Sequence, residues 1–147
     1  MKKDITTTRL SNILKDVHTD RQAEKFISQY AGKSPDATLH DYLNSMIAEK
    51  DLKISDLIRR SGLNENYAYP ILNGRKNPAR DKVLALCIAC GMSIKETNHA
   101  LKLADKGSLH PKYSRDAYIM ICINNGMTDV TEVNLYLDSK GQTILDV

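Results

Sequence analysis

The sequence predicts an all-α fold, a helical bundle, on three observations. Apolar residues recur at helical spacing along most of the chain, and no segment is assigned to a strand. Two short helical patterns flank a glycine within residues 54–74. Residues 79–93 are similar to residues 114–128, which indicates that one helical hairpin occurs twice. At 147 residues, the chain is long enough to bury a core without disulfides or metals.

The N-terminal part of the chain predicts a pair of helices followed by a linker. Apolar residues have helical spacing over residues 9–17. Thr19 and Gln22 form a capping-box pattern, which marks the start of the second helix. Gly32 and Pro35 interrupt the helical pattern, so the linker is expected around them.

The next segment predicts a helix capped by Thr38 and, after it, a helix-turn-helix unit. Gly62 allows the positive φ of a sharp turn between two short helices, and Leu63 fills the corner. Asn64 is a favourable N-cap for the second helix, which Gly74 ends.

The remaining helices form two similar hairpins. Each has an apolar helix, a Gly-Met turn and an amphipathic helix, and the offset between the copies is 35 residues, from Arg80 to Arg115. Residues 118–123 on their own could be a buried strand. Their counterpart, residues 83–88, occupies the place of a packing helix after the helix-turn-helix unit. Both segments are therefore predicted to be helical.

Composition and cysteine usage exclude several classes of function. The formal net charge is only +3. Basic residues nevertheless cluster just after the helix-turn-helix unit, at Arg75, Lys76, Arg80 and Lys82. Cys87, Cys90 and Cys122 lie in apolar helical runs, so we expect reduced core thiols in a cytoplasmic protein. Cys87 and Cys90 have the C-x-x-C spacing of some metal and redox sites, but no second pair of ligands accompanies them, so core packing is the preferred interpretation. No phosphate loop, catalytic arrangement or membrane span can be recognised, so no cofactor, metal site, enzymatic activity or membrane partner is predicted.

A set of residues in the middle of the chain carries a family resemblance. They are Gly62-Leu63, Ala68, Ile71, the exit sequence from Asn73 to Pro78, and the helix with Val83, Leu84, Leu86 and Cys87 ahead of Gly91. From Leu39 to about Ala104, the chain resembles the phage-repressor/Cro-like helix-turn-helix domain of the xenobiotic-response-element family of bacterial regulators. We accordingly divide the chain into an N-terminal helical pair (1–37), a helix-turn-helix DNA-binding domain (38–107) and a C-terminal helical hairpin repeat (108–147).

The resemblance implies that the second helix of the unit lies in the major groove of DNA. The residues that it implies for base-edge contacts are Asn64, Glu65, Asn66, Tyr67 and Tyr69. The residues that it implies for phosphate contacts are Lys53, Ser55, Asn73, Arg75, Lys76, Asn77 and Arg80. The first group reads the base sequence, whereas the second positions the protein and makes binding depend on salt.

Three residues depart from the usual pattern of that family. Ile54 stands where a glutamine is usual in the first helix. Ile58 stands where alanine is usual at the helix crossing, and the small Ala68 opposite it would compensate. Pro70 removes a hydrogen bond inside the recognition helix at a cost of roughly 3 kcal/mol, so we expect a kink or a shortened reading surface.

The sequence therefore predicts a bacterial or phage transcriptional regulator, in particular a repressor, that binds double-stranded DNA sequence-specifically as a homodimer. The second hypothesis is an adaptor that uses the helix-turn-helix scaffold to bind a protein and not DNA. A third is an antitoxin-like repressor, which would do both. The C-terminal hairpin, whose acidic residues suit protein contact better than DNA contact, or the N-terminal helices are expected to make the dimer or partner contact.

Overall fold

The computed structural model describes residues 12, 15–23 and 38–147. It divides the chain into two compact units between Ala37 and Thr38, where the sequence predicts the linker to end. In the first unit, the main-chain N–H of Gln22 donates to Oγ1 of Thr19 at 3.1 Å, and that of Thr19 donates to Oε1 of Gln22 at 3.2 Å. These bonds form the predicted capping box. The rest of the predicted helical pair lies largely outside the described residues.

The second unit consists of helices joined by short turns, and the described residues contain no strand. The helices are α1 (Leu39–Glu49), α2 (Ile54–Ser61), α3 (Glu65–Leu72), α4 (Arg80–Ala89), α5 (Ile94–Leu103), α6 (Ser114–Asn124) and α7 (Val130–Ser139). The all-α prediction is confirmed, including a helix over residues 118–123 within α6. None of the helices described is both long enough and apolar enough to cross a lipid bilayer.

Helix α4 is the centre of the hydrophobic core. Every residue from Val83 to Cys90 is buried, as is expected of a helix that is apolar on all sides. Helices α2, α5 and α7 pack against α4, while α1 packs against α3 and α5. The cysteines are unpaired core residues, and burial raises the pKa of Cys87 and Cys122 and raises that of Cys90 to about 12. The thiols are therefore protonated near neutral pH.

Two reciprocal ion pairs join the hairpin α4–α5 to the hairpin α6–α7. The guanidinium of Arg80 donates to both carboxylate oxygens of Asp116, at 3.1 and 2.9 Å. The guanidinium of Arg115 donates in the same way to Asp81, at 3.0 and 2.9 Å. Each hairpin thus supplies one arginine and one aspartate, which is the exchange of contacts found at an isologous interface.

The loops that follow α5 and α7 repeat this correspondence. Oδ1 of Asn98 accepts from the main-chain N–H of Leu109 at 2.8 Å, and Oδ1 of Asn134 accepts from that of Leu145 at the same distance. Both leucines are buried. The similarity between the hairpins therefore continues into the loops that follow them.

The expected domain boundary between residues 107 and 108 lies inside one compact unit of the structure. Residues 38–147 form one unit, because the reciprocal ion pairs lie across that position and α7 packs against both α2 and α4. The hairpin repeat is therefore part of the same core as the helix-turn-helix.

The carboxylates in these ion pairs couple stability to pH. Burial by itself would raise the pKa of Asp81 and of Asp116, but hydrogen bonds from Arg115, Arg80 and main-chain N–H groups outweigh it and lower both pKa values. A carboxyl group whose pKa is lower in the folded state stabilises that state above its unfolded pKa. This stabilisation is lost as the pH falls through the folded pKa.

We expect Asp116→Asn to lower the free energy of unfolding by about 2 kcal/mol at pH 7, because hydrogen bonds to a charged arginine would be lost. Asp81→Asn should cost less, since its carboxylate is more exposed. Urea denaturation at pH 7 and pH 3 measures both effects, and Asp138→Asn, at an exposed position, is the control. Wild-type stability should fall more than that of either variant between these pH values. Equal pH dependence in wild type and variants would contradict the proposed role of the ion pairs.

Candidate nucleic-acid interface

The turn between α2 and α3 is held by local hydrogen bonds. Gly62 has a φ of 73°, which permits the abrupt change of direction. The hydroxyl of Ser61 donates to the main-chain oxygen of Ile58 at 2.6 Å and accepts from the N–H of Leu63 at 3.1 Å. Ile58 and Ala68 are both buried, so the large residue on α2 and the small residue on α3 are accommodated together in the core.

Helix α3 begins at a side-chain cap and continues through a proline. Oδ1 of Asn64 accepts from the main-chain N–H of Asn66 at 2.9 Å. Pro70 has no N–H to donate to the carbonyl of Asn66, yet α3 runs on to Leu72. The carbonyl of Pro70 accepts from the N–H groups of the two residues that follow Gly74, at 2.8 and 3.2 Å. Pro70 therefore does not end the recognition helix.

Helix α1 holds the exit from α3. Nδ2 of Asn44 donates to the main-chain oxygen of Leu72 at 2.9 Å, which satisfies a carbonyl at the end of α3. Gly74 has a φ of 77°, and a Cβ at this position would lie 2.6 Å from the imidazole ring of His40. The positive φ favours glycine at this position, and a side chain here would require the imidazole of His40 to move.

The structure brings most residues predicted to contact base edges onto one exposed surface. Asn64, Glu65, Asn66 and Tyr69 are exposed. The first three also line a shallow cleft with Ser55 of α2, so the starts of the two helices share one face. Tyr67 differs from the others because it is half-buried and packs against the core.

The residues predicted to contact phosphates occupy two exposed positions, with one exception. Lys53 and Ser55 are at the start of α2, and Asn73, Arg75, Lys76 and Asn77 are in the exit loop. Within residues 38–147, no carboxylate lies within ion-pair distance of Lys53, Arg75 or Lys76. These cations therefore have no carboxylate partner there and are available to an external anion.

The exception is Arg80, to which the structure gives another role. Its guanidinium makes four hydrogen bonds, two to Asp116 and one each to the main-chain oxygens of Gly107 and Ser108. Its donors are engaged inside the protein, so we leave Arg80 out of the phosphate-contacting group. The sequence placed Arg80 beside the other cations, whereas long-range packing gives four of its N–H donors partners inside the protein.

Lys82 belongs near this surface but was not among the predicted site residues. Its Nζ lies 5.1 Å from the centroid of the Tyr67 ring, and Nζ of Lys76 lies 4.3 Å from the same centroid. The sequence signal was the basic cluster from residue 75 to residue 82. The sequence alone could not show which residues of that cluster would contact α3.

A comparison with protein families finds a match to the segment that contains the helix-turn-helix. Residues 42–97 match the family described as the Cro/C1-type HTH DNA-binding domain. This segment is a Cro/C1-type helix-turn-helix domain. The match includes all of α2, α3 and α4 and ends within α5, so the resemblance expected from the sequence is confirmed. No similar curated protein and no similar solved structure was found.

The identification places the geometry described above in a DNA-binding domain. Within the matched residues, α2 and α3 form the helix-turn-helix, and α3 occupies the position of the recognition helix in such units. The hairpin α6–α7 lies outside the matched residues.

Gly74→Ala is expected to lower the free energy of unfolding by roughly 2–3 kcal/mol, because positive φ and steric overlap with His40 both oppose a Cβ. Gly126→Ala is the matched control, since Gly126 has a φ of 73° but no neighbour within 4 Å of the added Cβ among the described residues. It should cost about 1 kcal/mol. Chemical denaturation gives both values.

The steric part of this effect can be tested separately. Adding His40→Ala to Gly74→Ala should reduce the additional loss, because the space occupied by the imidazole would become available. If Gly74→Ala and Gly126→Ala were equally destabilising, the contact with His40 would have no energetic importance.

Proposed function

We propose that this protein binds double-stranded DNA sequence-specifically through its Cro/C1-type domain and acts as a bacterial or phage transcriptional repressor. The observation that supports this most directly is the exposed start of α3 together with exposed cations just before α2 and just after α3. Lys53 lies at the start of α2, and Arg75 and Lys76 follow α3, without ion-pair partners among the described residues. This pattern suits a helix that enters a groove between two phosphate backbones.

The side chains at the start of α3 have chemistry suited to base edges. The amide of Asn66 can bond bidentately to adenine, and the carboxylate of Glu65 can accept from the amino group of cytosine. Asn64 uses its Oδ1 as the helix cap, so its amide N–H groups are the part available for DNA. Tyr69 is 43% exposed one turn further along and offers an aromatic surface to a thymine methyl group.

We propose repression and not activation because repression can be achieved by DNA binding alone. Occupying an operator that overlaps a promoter is sufficient to exclude polymerase, whereas activation requires an additional contact with the transcription machinery. We assign the chain a binding role and not a catalytic one, and we place its action in the cytoplasm, where bacterial DNA is accessible.

We further propose that two copies bind as a symmetric dimer through the outer face of the hairpin α6–α7. Leu86 of α4 is fully buried, whereas its counterpart Ile121 of α6 is 42% exposed. Leu135 of α7 is 67% exposed. A second copy would bury these residues and present two recognition helices to half-sites about 34 Å apart.

The adaptor hypothesis uses the same exposed aliphatic residues. In that case the hairpin would bind a different protein, and the surface of α3 would not require free cations. The cations around α3 favour DNA as the partner of the helix-turn-helix. An antitoxin-like repressor would combine DNA binding with a protein partner at the hairpin.

The double substitution Arg75→Ala with Lys76→Ala tests the proposed docking face. We expect weaker binding to all duplex sequences and a smaller dependence of affinity on salt, with the slope of log K against log salt reduced by about 2. Fluorescence anisotropy with a selected duplex and a random duplex, at several salt concentrations, measures both quantities. Unchanged binding would contradict the docking face.

Asn66→Ala provides the contrasting variant. It should relax discrimination at one base position, at a cost of about 1–3 kcal/mol for the preferred base, with little change in the salt slope. Selection of bound duplexes from a random pool with wild type and variant identifies that position. A palindromic consensus would support the dimer, and the absence of any consensus would contradict sequence-specific binding.

Leu135→Glu tests the dimer. Placing a carboxylate in an apolar interface should shift the protein from dimer to monomer and weaken binding to a two-half-site duplex. Analytical ultracentrifugation at micromolar concentration measures the first effect, and Ser45→Glu, at an exposed position on α1, is the charge-matched control. A dimer that survives Leu135→Glu would place the contact elsewhere.

A further inference from the structure

We propose that Tyr67 positions Lys76 and Lys82 as a two-cation site for the DNA backbone beside the recognition helix. We call these three residues the Tyr67 cluster. The inference rests on the proposed DNA-binding function and deepens it, because it adds Lys82 to the phosphate contacts and gives Tyr67 a role other than base reading.

The geometry of the cluster restricts both lysines. Nζ of Lys76 is 4.3 Å and Nζ of Lys82 is 5.1 Å from the centroid of the Tyr67 ring, both within the range of a cation–π interaction. The ring itself is half-buried and packs against the core, so its position is set by the fold. One rigid aromatic side chain therefore holds two flexible cations near the first turns of α3.

A second contact, with the loop after α7, restricts the side chain of Lys82. Its Nζ donates to the main-chain oxygen of Asp146 at 3.0 Å. The N–H of Asp146 in turn donates to the carboxylate of Asp81 at 3.0 Å, and Asp81 is paired with Arg115. The loop after α7 thus connects the second hairpin to a cation at the edge of the recognition helix.

The cluster carries charge that the described residues do not neutralise. No carboxylate in that part of the chain lies within ion-pair distance of Lys76 or Lys82. The partner of Lys82 in residues 143–147 is a carbonyl oxygen, which occupies one of the three ammonium donors and leaves two. Two such cations beside one ring make this edge of α3 positively charged and suited to an anionic partner.

The location of the cluster identifies that anion as a phosphodiester. Tyr67 follows Asn66 on α3, so the lysines border the exposed surface that is proposed to enter the groove. A backbone phosphate lies at this edge of any groove-bound helix. Because the ring and the loop already restrict the lysine side chains, less conformational entropy is lost when they bind phosphate.

Lys82→Gln is the principal test, with Lys102→Gln as the control of equal charge. Lys102 is exposed on α5 and lies outside the cluster. We expect Lys82→Gln to weaken binding of the selected duplex about tenfold at low salt and to reduce the salt slope by about 0.9, the value for one phosphate contact. Lys102→Gln should change neither quantity.

Two substitutions of Tyr67 distinguish positioning from direct contact. Tyr67→Phe retains the ring, so it should bind DNA with the affinity and salt slope of wild type. Tyr67→Leu removes the ring, so it should lose about as much affinity as Lys82→Gln with no change in base preference. Circular dichroism of each variant establishes that it is folded, and if Tyr67→Leu does not fold, Tyr67→Phe and Lys82→Gln decide the question.

The outcomes separate this inference from the proposed function. If wild type binds no duplex at low salt, the DNA-binding function is wrong and the inference fails with it. If wild type binds but Lys82→Gln retains the wild-type slope, DNA binding stands and the two-cation site is overturned. If Tyr67→Phe loses affinity and slope as Lys82→Gln does, the hydroxyl contacts DNA directly and the positioning role is wrong.

Discussion

The first turn of α4 holds the second hairpin and the end of the chain against the helix-turn-helix. Three successive residues there have three different partners: Arg80 pairs with Asp116, Asp81 pairs with Arg115, and Lys82 bonds to the loop after α7 beside the Tyr67 ring. The turn thus joins the second hairpin to the recognition helix. Because α4 is buried along nearly all of its length, movement of its first turn would disturb the whole core.

The recognition helix depends on this framework because it has little stability of its own. It has eight residues and contains a proline, whereas isolated helices shorter than about 12 residues are marginal in water. Its stability comes from burial of Ala68, Ile71 and Leu72, from the cap by Asn64, and from the amide of Asn44 on its last carbonyl. A short helix held at both ends can present its first turn in a fixed orientation.

The appended hairpin gives the domain two features that the matched segment does not contain. Its reciprocal ion pairs attach residues beyond the matched segment to α4, and its last loop supplies a hydrogen-bond acceptor for Lys82. Its outer face also leaves large aliphatic residues exposed where the first hairpin has buried ones. The hairpin therefore supports the face proposed to bind DNA, and its exposed aliphatic residues are the basis of the proposed dimer.

Local sequence determined most of the fold. The capping box of Thr19 and Gln22, the turn at Gly62 and the start of α3 at Asn64 depend on residues within one or two turns of each other, so their patterns could be recognised directly. The positions proposed for base-edge contacts came from the family resemblance, and all of them except Tyr67 are exposed. Comparison of the two repeats predicted a helix over residues 118–123, and the structure has a helix there.

Only the tertiary structure decided what the cations after α3 do. Arg80 and Lys82 lie in one basic cluster of the sequence, yet the first is held by Asp116 and the second by the main chain of Asp146. These partners are 36 and 64 residues away, and no local pattern specifies such separations. The sequence determined that positive charge follows the recognition helix. Long-range packing determined which charges remain free, because a guanidinium whose donors are satisfied inside the protein has little left to offer a phosphate.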